Sequence, residues 1–284
     1  MVGLTFLLTF ANEEQTTLKY KVYYILLSVV LLFTACEFKL KPNEEDDSST
    51  IKVERYDRLE SRYVITGDFS ALQQMNTEYP IETRTLVEKM LHIGEVSDHD
   101  ISERFLRFYQ DSTLQTLVAD AESEFASMDD INTGLQKAFS NLKDWLPNMP
   151  LPRVYAQIGA LDQSIVIGDR SIGISLDKYM GAKYPLYKQF GYTNEQLETM
   201  GRNYIVPDCV SFYLLSQFPM NNYDSRTQLE KDLHMGKVMW VTNKALGRQF
   251  FDTDYIKTVN HYMLRHPKVT IEQLLLNDDY SVFK

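Results

Sequence analysis

Three prolines in close succession, Pro147, Pro150 and Pro152, divide this chain into two halves that must fold differently. Proline has no amide donor and its ring clashes with the preceding helical turn, so no helix runs through such a stretch. Ahead of it, apolar residues recur at helical spacing. A short helix is predicted from Asp68 to Tyr79-Pro80, and a second over 81–93 with Leu86, Met90 and Ile93 on one face. Residues 100–124 carry Phe105, Phe108, Leu114, Leu117 and Val118 at the same period, with a break near Asp111. Asp129-Asp130 reads as the N-terminal cap of a helix reaching Trp145, with Ile131, Leu135, Ala138, Phe139 and Leu142 on its apolar face. Residues 51–65 alternate in part and read as a strand or extended lead-in.

After the prolines the pattern changes to short strands at 154–158, 164–167 and 172–176, the last two joined by a hairpin loop that starts at Gly168-Asp169. Helices return at 194–217, 225–241 and 253–266, with a short one at 270–276. Helices, a small sheet and more helices predict an α+β, predominantly helical fold, in which a small antiparallel sheet is flanked by helices within one globular domain over 51–284.

The N-terminus has a separate logic. Residues 22–35, VYYILLSVVLLFTA, are uncharged and follow Lys19 and Lys21. Fourteen residues are too few for a transmembrane helix, which needs about 20, but they fit the apolar core of a signal peptide. The run ends in Phe33-Thr34-Ala35-Cys36, which resembles a lipobox. Small residues fit the narrow peptidase site, and the Cys36 thiol is the group that receives diacylglycerol. Residues 1–35 are therefore expected to be a signal peptide. Glu13 and Glu14 are out of place ahead of such a core, so residues 1–18 are expected to be a mis-assigned start, with the true one near Leu18. Residues 36–50 hold Glu44, Glu45, Asp46 and Asp47 and nothing apolar after Leu40, the composition of a flexible tether.

The chain carries a net charge of −10 and has no offsetting basic cluster, which argues against nucleic acid as a partner. With Cys36 lipidated, Cys209 stands alone, and its apolar surroundings predict an inert buried thiol.

A family resemblance is carried by the order of several short patterns. These are Pro152-Arg153-Val154, then Leu176-Asp177-Lys178-Tyr179-Met180-Gly181, a tyrosine-rich loop with Tyr184 and Tyr187, Ile205-Val206-Pro207-Asp208, and Gly236-Lys237 with Trp240. Together they resemble the GldB family, the gliding-motility-associated lipoproteins of Bacteroidota. The resemblance implies a lipid-anchored envelope protein, facing the periplasm or the cell surface at the outer membrane. It does not carry a motility role to this chain, because family members occur in bacteria that do not glide.

The same family is distantly similar to zincin metallopeptidases, where an edge strand holds substrate and the next helix carries H-E-x-x-H. The matching stretch here is Pro207-Asp208-Cys209-Val210-Ser211, without either histidine, so the resemblance implies a degenerate zincin-like scaffold. No metal ligand set and no cofactor is expected. His92, His99, His234, His261 and His266 show no ligand spacing, and Ser211 lacks the context of a nucleophile elbow.

The candidate binding residues are Asp177, Tyr179, Tyr184, Tyr187 and Asp208, with Tyr192 extending the tyrosine patch. Tyrosine clusters suit binding surfaces and equally suit wet loop cores. Asp177 shapes the turn after the last strand or lines a groove. Asp208 is a helix cap, a buried hydrogen-bond partner or a functional acid. The leading expectation is a non-enzymatic module that binds a partner protein or peptide in the envelope, attached to the membrane by lipid on Cys36. The alternative is a peptidase-like hydrolase with a degenerate or unrecognised metal site.

Replacing Cys36 with Ala is expected to move the protein from the membrane pellet to the supernatant on cell fractionation. A variant that still sediments with membranes would overturn the lipid anchor.

Overall fold

Strand β2 begins directly after the last proline and is the axis of the fold. A computed structural model describes residues 50–283. The expected signal peptide, Cys36 and the expected tether up to residue 49 lie outside the described residues. The sheet has four strands, β1 (Val53–Glu54), β2 (Arg153–Gln157), β3 (Ile165–Ile167) and β4 (Ser171–Ser175), in the order β1-β2-β4-β3. Helices cover both faces, so the fold is α+β and mostly helical, as the sequence predicts.

The sheet departs from expectation in strand direction. β1 and β4 both run parallel to β2, and only the β3–β4 hairpin is antiparallel. The cause is burial on both faces. Val154, Ala156, Ile172 and Ile174 point into one core, while Tyr155 and Val166 point into another. Strands buried on both sides are typical of parallel pairing, and the whole helical half of the chain serves as the crossover from β1 to β2.

That half comprises α1 (Tyr56–Thr66), α2 (Phe69–Glu78), α3 (Pro80–Arg84, running into a π-helical turn at Thr85–Met90), α4 (Ile101–Phe108), α5 (Ser112–Glu124) and α6 (Asp129–Trp145). The expected strand over 51–65 is two residues long, and the rest is α1. Tyr56, Asp57, Glu60, Ser61, Tyr63 and Val64 are its buried positions, spaced as a helix requires; acids on the inward face hide that period. The break near Asp111 is real, because Asp111 Oδ1 accepts the N–H groups of Thr113 (2.8 Å) and Leu114 (3.2 Å) and starts a new helix. Asp129-Asp130 is not the cap of α6. Met128 takes that position, and Asp130 binds Arg202 instead.

In the second half, α7 (Pro185–Gln189) and α8 (Asn194–Thr199) precede α9 (Ile205–Gln217), α10 (Gln228–Leu246), α11 (Asp254–Arg265) and α12 (Ile271–Leu276). The single helix expected over 194–217 is broken. Gly201 pairs with Met180 as an isolated bridge, and the Gly181 N–H donates to Met200 O (2.8 Å), so this stretch of backbone is committed sideways.

Two glycines set the close approaches. A Cβ at Gly173 would stand 2.5 Å from the Tyr155 hydroxyl, so the bare position on β4 makes room for that ring. A Cβ at Gly236 would stand 2.8 Å from Tyr255 Cβ and 3.1 Å from its backbone carbon, where α10 crosses α11. The next residue, Lys237, is fully buried, and its ammonium donates to Leu275 O (3.4 Å) in the last turn of α12 and to Asn277 O (2.7 Å) just beyond it. Burial lowers its pKa to about 8. It ties the last segment of the described chain to the body of the protein.

Gly236→Ala is expected to cost about 1–3 kcal/mol by overpacking against backbone that cannot retreat. Chemical denaturation would show it as a lower unfolding midpoint, and an unchanged midpoint would contradict the close crossing.

Candidate functional site

Because β2 and β4 are parallel, their C-terminal ends emerge side by side. The chain leaves β2 through residues 158–161, where Ala160 (φ 50°) and Leu161 (φ 66°) both lie in the left-handed region. Each such residue costs about 1–2 kcal/mol when it carries a side chain. Two carboxylates hold the turn. Glu60 Oε2, from α1, accepts the Ile158 N–H (2.9 Å). Asp177, at the end of β4, accepts the Gly159 N–H on Oδ1 (2.9 Å) and the Leu161 N–H on Oδ2 (2.5 Å). A hydrogen bond contributes about 0.5–1.5 kcal/mol to a neutral acceptor and about 1.5–3 kcal/mol to a charged one, so three of them offset much of the strain.

Both carboxyls are fully buried. Burial pushes the Glu60 pKa well up and the Asp177 pKa up, against the opposing pull of the backbone N–H groups. Around Glu60 the hydrogens can be counted. Tyr109 Oη lies 3.0 Å from Glu60 Oε1 and 2.9 Å from Ile158 O, and a phenol has one hydrogen to give. A neutral Glu60 that donates to Tyr109, which donates in turn to Ile158 O, gives every contact its proton. Beside this turn Gln157 is also fully buried, and its Oε1 has no hydrogen-bond partner among the described residues.

The one-turn 3-10 helix Leu176–Tyr179 then brings the candidate residues together. Tyr179, buried, donates to Asp208 Oδ2 (2.8 Å) on the first turn of α9. Tyr187, also buried, donates to the Asp177 carbonyl (2.7 Å) and accepts the Met180 N–H (2.8 Å). Tyr192 donates to Leu161 O (2.6 Å), and Tyr184 reaches away to Asp120 Oδ2 (2.9 Å). All four phenols are engaged inside the protein. Asp208 is a hydrogen-bond partner and not a cap, since the cap position of α9 belongs to Tyr204. Burial raises the Asp208 pKa to about 6, with the Tyr179 hydroxyl pulling the other way. The Cys209 thiol is buried and its pKa is pushed well up by the same desolvation.

The outer side of the site is an edge. β3 is the last strand of the sheet, and α9 packs against it. Ser164 O accepts from Ser175 N and Gly168 N donates to Ser171 O, which fixes the ladder phase. In this phase the N–H and C=O groups of Ile165 and Ile167 point away from β4. They have no backbone partner among the described residues. A cleft of about 320 Å³, with Tyr179, Met180, Glu198 and Arg202 on its walls, opens beside the Met180–Gly201 bridge.

Chemically, the site offers buried carboxylic acids, phenols and an open strand edge. Ser211 Oγ donates to Pro207 O (2.7 Å) and lies 3.3 Å from the Thr242 hydroxyl, with no histidine beside it. Among the described residues, no group of three or more His, Cys, Asp or Glu side chains converges as a metal site would require. Glu60, Tyr109 and Gln157 were not singled out by the sequence reading. The one signal for Glu60 was an acid four residues after Tyr56 and four before Val64, on the inward stripe of a helix.

The Asp208 shift has a stability consequence with a definite sign. Its folded pKa of about 6 lies above the ordinary unfolded value of about 3.9, so the folded protein binds the extra proton. The contribution is fully present below about pH 4 and is lost as pH rises through 6. Asp208→Asn imitates the neutral acid and keeps an oxygen for Tyr179. It is expected to stabilise the protein at pH 8 relative to the wild type by up to about 2–3 kcal/mol, with the gain vanishing near pH 4. Equal unfolding free-energy differences at both pH values would contradict the assignment.

The patterns that carry the resemblance meet here. Leu176-Asp177-Lys178-Tyr179 and Ile205-Val206-Pro207-Asp208 are joined by the Tyr179–Asp208 hydrogen bond. No helix among the described residues is long and apolar enough to cross a membrane. Comparison with curated proteins and with solved structures finds no match. The family described as gliding motility protein GldB matches residues 37–252, a span that includes every residue of this site. The chain therefore belongs to the gliding motility protein GldB family.

Proposed function

We propose that this protein is a lipid-anchored envelope lipoprotein that acts as a binding or assembly module and not as an enzyme. Lipid on Cys36 holds it at the membrane, and the partner is an envelope protein or peptide that lies in extended form along β3. The observation that carries this reading is the open edge of β3 beside Asp208 and α9. An exposed strand edge presents unpaired N–H and C=O groups to an incoming strand, and main-chain bonds then supply affinity. Ile165 and Ile167 are only partly buried, so their outward groups can be reached. Asp208, half-buried next to this edge, is the side chain placed to read the partner. Asp177, Tyr179 and Tyr187 frame the site from inside the protein. Family membership supports the lipoprotein and its association with the envelope. Gliding is the readout by which a family role would be assayed, while the binding geometry is independent of it.

Ile167→Pro separates edge binding from folding. The Ile167 N–H points away from β4, so proline removes an outward donor and obstructs the edge without breaking the existing ladder. The partner that cross-links to the wild-type protein in intact cells is expected to be lost from this variant, with cooperative unfolding retained. Cross-linking undiminished in Ile167→Pro would overturn the edge as the docking site. Stoichiometric zinc in the purified protein, lost together with a hydrolytic activity in Asp208→Ala, would overturn the binding reading in favour of a hydrolase.

A further inference from the structure

Outside this site, a cleft of about 540 Å³ opens where the end of α10 meets the beginning of α11, with Trp240, Lys244, Arg248, Asp252, Lys257 and Asn260 among its lining. Its far wall is held rigidly. Gly247 turns the chain at the end of α10 with φ 68°. Asn243 Oδ1 then accepts the N–H groups of Phe250 and Phe251 (2.9 Å each), and its Nδ2 donates to Phe251 O (2.8 Å). One buried-side amide thus fixes the loop that carries Arg248 and Asp252.

The charges in the cleft do not cancel. Lys257 is engaged with Asp254 (3.2 Å) and Asp252 (3.7 Å). Lys244 and Arg248 have no carboxylate within 4 Å among the described residues, and instead lie over aromatic faces, Lys244 Nζ 5.2 Å from the Trp240 ring and Arg248 Cζ 5.3 Å from Phe250. A third ammonium, Lys137 Nζ, lies near Gly247, 3.5 Å from where a Cβ there would stand. Two unpaired cations sharing one cleft are notable in a chain of net charge −10.

Helix capping does not use them up. The last carbonyls of α10 are already taken, Lys244 O by the Gly247 N–H (3.1 Å) and Asn243 O by the Arg248 N–H (3.2 Å). Trp240 Nε1 donates to Asn260 Oδ1 (3.0 Å), which orients that amide and leaves its own N–H groups unpaired. The free groups of Lys244, Arg248 and Asn260 are therefore all donors, and two of them are cationic. An anionic group that only accepts hydrogen bonds complements such a set, and the planar guanidinium fork matches phosphate oxygens two at a time. We propose that this cleft binds a phosphate group, carried by a small molecule or by a phospholipid headgroup, through Lys244, Arg248 and Asn260.

The chain has two tryptophans, so full-length protein with Trp145→Phe reports on Trp240 alone. Withdrawing the Lys244 ammonium from the indole face onto a ligand changes its emission. Inorganic phosphate, titrated at constant ionic strength, is expected to give a saturable change. The double variant Lys244→Gln/Arg248→Gln is expected to weaken it at least tenfold at an unchanged melting temperature, and Lys188→Gln on α7 to leave it as it was. The same titration with phosphatidylglycerol vesicles, against phosphatidylcholine vesicles, distinguishes the sources. Saturation with phosphate assigns a small-molecule ligand, and saturation with the anionic vesicles alone assigns a headgroup. No saturable response to either, or an equal response in the folded double variant, would overturn the proposal. Neither outcome bears on the edge of β3, which this assay does not touch.

Discussion

Burying a polar group without partners costs about 2–7 kcal/mol, and this fold places two carboxyl groups, Glu60 and Asp177, against the same four-residue turn. Each is tolerated because it meets hydrogen-bond donors that nothing else can satisfy. The turn after β2 exposes N–H groups inward at Ile158, Gly159 and Leu161, and buried amides must find acceptors. Glu60 brings α1 to the end of β2, and Asp177 brings the end of β4 to the same point. The parallel pairing of β2 with β4, the seat of α1 on the sheet and the path of the chain towards β3 all rest on these bonds. Remove either carboxylate and the remaining N–H groups are left buried without acceptors, a loss of about 1–3 kcal/mol for each.

The residues that carry the family resemblance take on specific mechanical roles in this setting. Asp177 holds the turn, Tyr179 ties the sheet to α9 through Asp208, Gly236 permits the α10–α11 crossing and Lys237 fastens the C-terminal segment. These are contacts between parts of the chain that are distant in sequence. They describe a frame that presents β3 at its margin, with a tyrosine-rich interior behind it.

Much of the fold could be read from the sequence because helices and short strands have different periods. The proline cluster marked the change of regime correctly, and α2, α6, α10 and α11 lie close to their expected ranges. What the sequence hid was tertiary. A glutamate on the inward face of α1 disguised a helix as an extended segment, because amphipathic patterns count carboxylates as outward. Strand direction was hidden as well, since alternation reports which faces are covered and not which neighbour a strand chooses. In the site, Asp177, Tyr179 and Asp208 were legible because they sit in an apolar context. Glu60 and Tyr109 were not, since their partners are backbone groups of a turn about fifty or a hundred residues further along the chain. In the tyrosine patch, Tyr187 packs edge-on against both Tyr184 and Tyr192. The hydroxyls of the patch face inward because the neighbouring turns offer carbonyls and carboxylates that need donors.

The route from β1 to β2 has a consequence for how the chain acquires its structure. Val53 pairs with Val154, and Glu60 waits for Ile158, so the N-terminal helices cannot complete their shared core until the chain beyond the prolines has arrived. Contacts of such long sequence separation form late, because loop closure must precede any reward. A half-emerged chain of this design holds local helices and little else. The vulnerable interval for aggregation or proteolysis therefore lies between the appearance of α1 and the closing of the turn that Glu60 and Asp177 hold.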